Sequence, residues 1–109
     1  MDRINSYENW LDVAKTQNPF LLFVKTDNCS VCDGLLLQVA ELQKDYSMPF
    51  YSVNIMEVPE VSGQLSLLSA PVVLLFNDSR EYARYARFVR IGELALRMQE
   101  LIERGKAID

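Results

Sequence analysis

Two short, unbroken apolar runs, Phe20-Leu21-Leu22-Phe23-Val24 and Val72-Val73-Leu74-Leu75-Phe76, stand out against stretches whose apolar residues recur at helical spacing. Runs of this length and composition predict strands buried on both faces, as in a parallel sheet. Phe50 to Ile55, with Phe50, Tyr51, Val53 and Ile55, reads as a further strand. Ahead of the first run, Ser6 is placed to cap a helix reaching about Thr16, with Tyr7, Trp10, Leu11 and Ala14 on its apolar face; Asn18-Pro19 ends it. Trp10 is therefore a core residue. Between the first two strands, Ser30 to about Tyr46 is helical, with Leu35, Leu36, Val39, Ala40 and Leu42 opposite Gln38, Glu41, Gln43 and Lys44. Pro49 stops it. Pro59 opens a short helix through Ser66. Asn77-Asp78-Ser79 predicts a turn, and Arg80 to Val89 then returns as a strand of mixed polarity paired in a hairpin. Gly92 to Arg104 closes the chain as a helix facing inward through Leu94, Met98, Leu101 and Ile102. The predicted order is helix, strand, helix, strand, helix, strand, strand, helix: an α/β fold with a parallel βαβ unit, a right-handed crossover and a terminal antiparallel hairpin.

Composition narrows the picture. A chain of 109 residues, half of them hydrophobic and 24% charged, suits one domain over residues 1–109 with its own core. No linker, repeat or low-complexity stretch divides it. The net charge of −4 lacks the basic signature of a nucleic-acid partner. No run of about 18 apolar residues predicts a membrane span. Met1 to Trp10 is polar and mixed in charge, unlike a secretory signal, and Met1 suggests a full-length product, so the expectation is a cytoplasmic protein. Arg80, Arg84, Arg87 and Arg90 crowd a segment that also holds Tyr82, Tyr85 and Phe88. A soluble edge strand is the preferred reading over a patch for an acidic or nucleic-acid partner.

The candidate chemistry lies in two cysteines. The chain has no histidine, which excludes Ser-His-Asp hydrolysis, Cys-His proteolysis and histidine metal sites. The glycines are isolated at Gly34, Gly63, Gly92 and Gly105, so no phosphate-cradling loop is present. Cys29 and Cys32 are two residues apart where a buried strand gives way to a helix. Sulfurs at that spacing reach disulfide geometry within one turn. Cys29 falls at the helix N-cap, where free N–H groups and the dipole favour a thiolate and lower its pKa. Cys32, one turn in and less exposed, would resolve a mixed disulfide formed on Cys29. Redox chemistry is the leading reading. Half of a metal site shared by two chains and a packed but inert pair are the alternatives.

Cys29-Ser30-Val31-Cys32, Ser69-Ala70-Pro71-Val72 ahead of an apolar strand, the Asn77-Asp78 turn and Gly92-Glu93-Leu94 opening the last helix together resemble the thioredoxin family over roughly Ser6 to Arg104. The resemblance implies a thioredoxin fold, with a central mixed sheet of four to five strands and about four helices. It also implies a cis Ala70–Pro71 bond beside Cys29, leaving the Ala70 backbone free to pair with an extended substrate. From the residues alone, Pro71 would be an ordinary trans proline at a strand start.

Several positions depart from the family pattern. Ser30-Val31 replaces Gly-Pro, Asn28 replaces the tryptophan before the first cysteine, and Arg87 replaces a glycine of the substrate groove. Phe23 stands where the family buries a carboxylate, and Ser52 where a lysine accompanies it. That carboxylate helps deprotonate the resolving thiol, so slower resolution is expected. Lys25, Asp27 and Asp33 flank the motif. Asp27 would raise the Cys29 pKa and Lys25 lower it, unless all three are merely solvated charges.

The expectation is a monomeric protein-disulfide oxidoreductase: Cys29 as nucleophile, Cys32 as resolver, and Asn28, Ser30, Val31, Ala70, Pro71 and Arg87 around the substrate. It needs no bound cofactor or metal. Its partners are protein disulfides and an upstream reductase or low-molecular-weight thiol, with no nucleic acid or membrane involved. The alternatives are a redox-inactive adaptor and a dimer bridging metal through its cysteines.

Overall fold

The apolar runs become the middle of a sheet. The structure, a computed structural model, describes residues 1–108. In chain order these form β1 (Asp2–Ile4), α1 (Tyr7–Thr16), β2 (Phe20–Lys25), α2 (Ser30–Leu42), β3 (Phe50–Asn54), α3 (Pro59–Leu65), β4 (Val72–Asn77), β5 (Arg80–Ala86) and α4 (Ile91–Ile108). The strands make one five-stranded sheet in the order β1-β3-β2-β4-β5. β3 runs parallel to β1 and β2, while β4 is antiparallel to both β2 and β5.

Because successive strand side chains point to opposite faces, each central strand feeds two cores. Phe20, Leu22 and Val24 of β2 and Val72, Leu74 and Phe76 of β4 join Trp10, Val13 and Val61 on one face. Trp10 packs edge-on against Phe20 and Phe76, with ring centroids 6.0 and 5.5 Å away. On the other face Leu21, Phe23, Val73 and Leu75 join Cys32 and Val39 of α2 and Leu94, Met98 and Leu101 of α4. Phe20 through Val24 are all 0% exposed, so the β2 run is continuous because both its faces are covered. Ser6 Oγ accepts the Asn9 N–H at 3.0 Å and caps α1, an interaction of about 1 kcal/mol. Asp78 and Ser79, with φ of 53° and 63°, form the two-residue hairpin loop between β4 and β5.

The structure corrects the expected boundaries in several places. β1 was not foreseen: of Asp2-Arg3-Ile4 only Ile4 is buried, and pairing with β3 rather than local pattern makes the strand. α2 ends at Leu42, not near Tyr46. Gln43, Lys44 and Asp45 instead donate to carbonyls three residues back, a tightened last turn that does not propagate. α3 stops at Leu65, with Ser66 left-handed as its cap. β5 stops at Ala86 rather than Val89, because Arg87 is left-handed (φ 66°) and the Phe88 N–H donates to Ala86 O at 2.8 Å. α4 begins at Ile91 and runs on to Ile108, past both predicted ends.

Candidate active site

The turn from β2 into α2 places the first cysteine. Asn28 adopts a left-handed conformation (φ 53°), and Cys29 follows as the extended N-cap of α2. Its Sγ accepts the Cys32 N–H at 3.1 Å, so the sulfur occupies the place of a capping oxygen and meets an otherwise unpartnered helix donor. Cys29 and Cys32 form a disulfide across a Cα–Cα separation of 5.2 Å. Their environments differ: Cys32 is 1% exposed within the α2–α4 core, whereas Cys29 is half-buried at its edge.

Pro71 comes to this edge from the adjacent strand, since Val72 at the start of β4 pairs with Val24 near the end of β2. The Ala70–Pro71 bond is cis, as is Asn18–Pro19, and Pro71 O accepts the Arg87 N–H at 3.3 Å. A groove of about 440 Å³ runs between the two parts. Asn28, Cys29, Ser30 and Val31 line it from the start of α2, and Ala70, Pro71 and Arg87 from the entry of β4 and the end of β5. Every predicted site residue therefore meets in one hollow except Cys32, which lies buried behind it. Phe88 also lines the groove and was not singled out from the sequence. The sequence signal was an aromatic next to Arg87; what it lacked was the end of β5 at Ala86, which leaves Phe88 89% exposed instead of paired in a strand.

The residues behind the site are apolar. Phe23 is 0% exposed, registered between Ser52 of β3 and Val73 of β4, in the same cluster as Cys32. The flanking charges lie elsewhere. Lys25, Asp27 and Ser52 line a separate hollow of about 280 Å³ with Arg3 and Glu57. There Asn54 Nδ2 donates to Asp27 at 2.7 Å, and Arg3 pairs with Glu57, whose hydrogen bond and charge hold the guanidinium above its ordinary range. Asp33 is exposed in the first turn of α2. Arg84 is tied to Glu81 and to the carbonyls of Leu65 and Ser66, and β5 forms a sheet edge. Among the described residues, no group of three or more His, Cys, Asp or Glu is placed to hold a metal, and no helix is long and apolar enough to cross a membrane.

The chain is similar to known proteins in sequence and in fold. The chain is 29% identical over 97 residues to the thioredoxin-like protein YdfQ of Bacillus subtilis (strain 168), covering 88% of this chain and 84% of that protein. It is 31% identical over 74 residues to thioredoxin AMT13 of Alternaria alternata, covering 66% of this chain and 63% of that one. The thioredoxin of Plasmodium falciparum superposes with a TM-score of 0.83 at 16% identity, over 92% of this chain and 98% of its own. That likeness shows a thioredoxin fold, with the expected mixed sheet and four helices. No protein-family model matches the chain.

Proposed function

We propose that the chain, which is similar to a thioredoxin-like protein and has the thioredoxin fold, is a thiol–disulfide oxidoreductase that reduces protein disulfides through Cys29 and Cys32. The observation that carries the proposal is a half-buried cysteine capping α2 in the same groove as a cis proline, with its disulfide partner buried one turn behind.

In the reduced protein the cap position favours the Cys29 thiolate, because backbone N–H groups and the helix dipole stabilise negative charge there. An extended substrate segment pairs with the backbone at Ala70, where proline offers no N–H to compete. The Cys29 thiolate attacks one substrate sulfur, a Cys29–substrate disulfide forms, and the other substrate sulfur leaves as a thiolate and takes a proton. Cys32 then loses its proton and attacks Cys29 Sγ. The substrate's second thiol leaves, and the protein is left oxidised by two electrons as the Cys29–Cys32 disulfide. A partner reductase or low-molecular-weight thiol returns those electrons; no bound cofactor is required. Turnover in this direction suits a reducing compartment such as the cytoplasm, and a monomer suffices.

Insulin reduction by dithiothreitol tests this reading. Catalytic amounts of the protein are expected to shorten the lag before the insulin B chain precipitates, in proportion to protein concentration. A lag unchanged from dithiothreitol alone would contradict an oxidoreductase and leave a redox-inactive adaptor.

A further inference from the structure

The groove carries a cation that the disulfide chemistry does not use. Arg87 lines it beside Cys29 and Pro71, and among the described residues it makes no ion pair or side-chain hydrogen bond. Arg3, Arg84 and Arg97 are each held by a glutamate, whereas Arg80 and Arg90 also have no ion pair among the described residues but lie outside this groove. Its backbone is left-handed, at φ 66°, where any residue with a Cβ is disfavoured by about 1 kcal/mol and glycine is not. A long cationic side chain kept on such a backbone points to a use for the charge. The chain as a whole carries −4, so a positive charge in the groove opposes the molecule's general field. The neighbouring surface is apolar: Phe88 is 89% exposed and Val31 63% exposed, both lining the same groove.

We propose that Arg87 is a specificity-determining residue that selects extended protein segments carrying a carboxylate side chain next to the disulfide cysteine, with an apolar residue of the segment laid against Val31 and Phe88. The proposal rests on the oxidoreductase reading and deepens it. A protein segment is the occupant rather than a small anionic disulfide such as oxidised glutathione. A small anion would satisfy the charge but leave Val31 and Phe88 without apolar contact, and it would not need the strand-pairing edge at Ala70. One cation in the groove matches one carboxylate on a peptide, not the several carboxylates of oxidised glutathione.

Three intermolecular peptide disulfides, identical except for Asp, Asn or Lys beside the cysteine and each with Leu on its other side, test the proposal as substrates for the reduced protein. Wild type is expected to favour Asp over Asn by about fivefold in kcat/KM, with Lys the poorest, and the preference should shrink in 0.5 M salt. In Arg87→Gln the Asp/Asn ratio should fall to about one, and in Arg87→Glu it should invert. Arg87→Gly, which suits the left-handed backbone, should lose the preference too, so that a folding defect cannot imitate the result. An Asp/Asn ratio that survives in Arg87→Gly, or equal rates for all three peptides in wild type, overturns the selection while leaving the chemistry intact. Turnover of oxidised glutathione above that of the Asp peptide overturns the choice of occupant. Turnover of no peptide above a Cys29→Ser control overturns the oxidoreductase reading and the selection with it.

Discussion

Replacing Cys29 by serine is expected to return insulin reduction to the rate of dithiothreitol alone, and replacing Cys32 by alanine to halt the cycle at a mixed disulfide. The chain has two cysteines, so no third thiol can substitute for the nucleophile. The two variants differ because their positions differ. Cys29 sits half-buried at the helix N-cap in the groove, where a substrate sulfur can approach, while Cys32 is 1% exposed and can reach only Cys29. Cys32→Ala should therefore still attack, yielding one equivalent of released substrate thiol and a covalent adduct visible by intact mass, but almost no turnover. In the wild type, resolution should be the slow step. Among the described residues, Phe23 and its apolar neighbours leave no buried carboxylate behind Cys32 to accept its proton, and apolar burial disfavours a thiolate there. The rate of the second step should then rise about tenfold per pH unit, following the thiolate fraction, until Cys32 itself titrates. A Cys29→Ser protein that still accelerates reduction, or a resolution rate independent of pH, would contradict this assignment.

Phe23→Ala is expected to cost about 3–5 kcal/mol of stability, the range for emptying an aromatic position in a packed core. Phe23 is 0% exposed on the central strand, between the β3 and β4 ladders, and the cluster it fills includes Leu21, Val39, Phe50 and Val73. Phe23→Asp should cost at least as much at neutral pH and add a pH slope that alanine lacks. An aspartate there is desolvated, which raises its folded-state pKa above the unfolded value of about 3.9. A raised folded pKa means that the protonated form is favoured by folding. The variant's deficit is therefore smallest in acid and grows as pH rises from the unfolded pKa through the folded one. Urea unfolding of wild type and both variants at pH 5 and pH 8 measures this as a difference. A loss below about 1 kcal/mol in Phe23→Ala would contradict the packing described here. An Asp/Ala difference unchanged between the two pH values would contradict the dry surroundings of the site.

The parts of the fold legible in the sequence were those decided by burial. The runs at Phe20–Val24 and Val72–Phe76 could be continuous only if both faces were covered, and both are internal strands of the sheet whose residues are buried throughout. Cys29 at a helix start followed from the strand-to-helix change around Asn28. What was not legible depended on partners distant in sequence. β1 exists because Arg3 and Ile4 pair with Ser52 and Val53, and nothing local in Asp2-Arg3-Ile4 announces a strand. The end of β5 turns on the left-handed Arg87, a conformation that an arginine does not advertise. The same surprise hid Phe88, which a strand running to Val89 would have placed in the ladder and which instead stands in the groove. Lys25 and Asp27, weighed as influences on Cys29, line a hollow with Arg3 and Glu57, where Asn54 donates to Asp27, a partner distant in sequence.

The reversible couple between Cys29 and Cys32 is tested most directly by equilibrating the intact protein across glutathione redox buffers, trapping free thiols by alkylation and reading the mass. Both cysteines should become protected together in a single two-electron transition, with a slope of about 30 mV per tenfold change in the reduced-to-oxidised ratio. Protection of one cysteine alone as a glutathione adduct, or two free thiols across the whole range, would contradict a dithiol–disulfide centre.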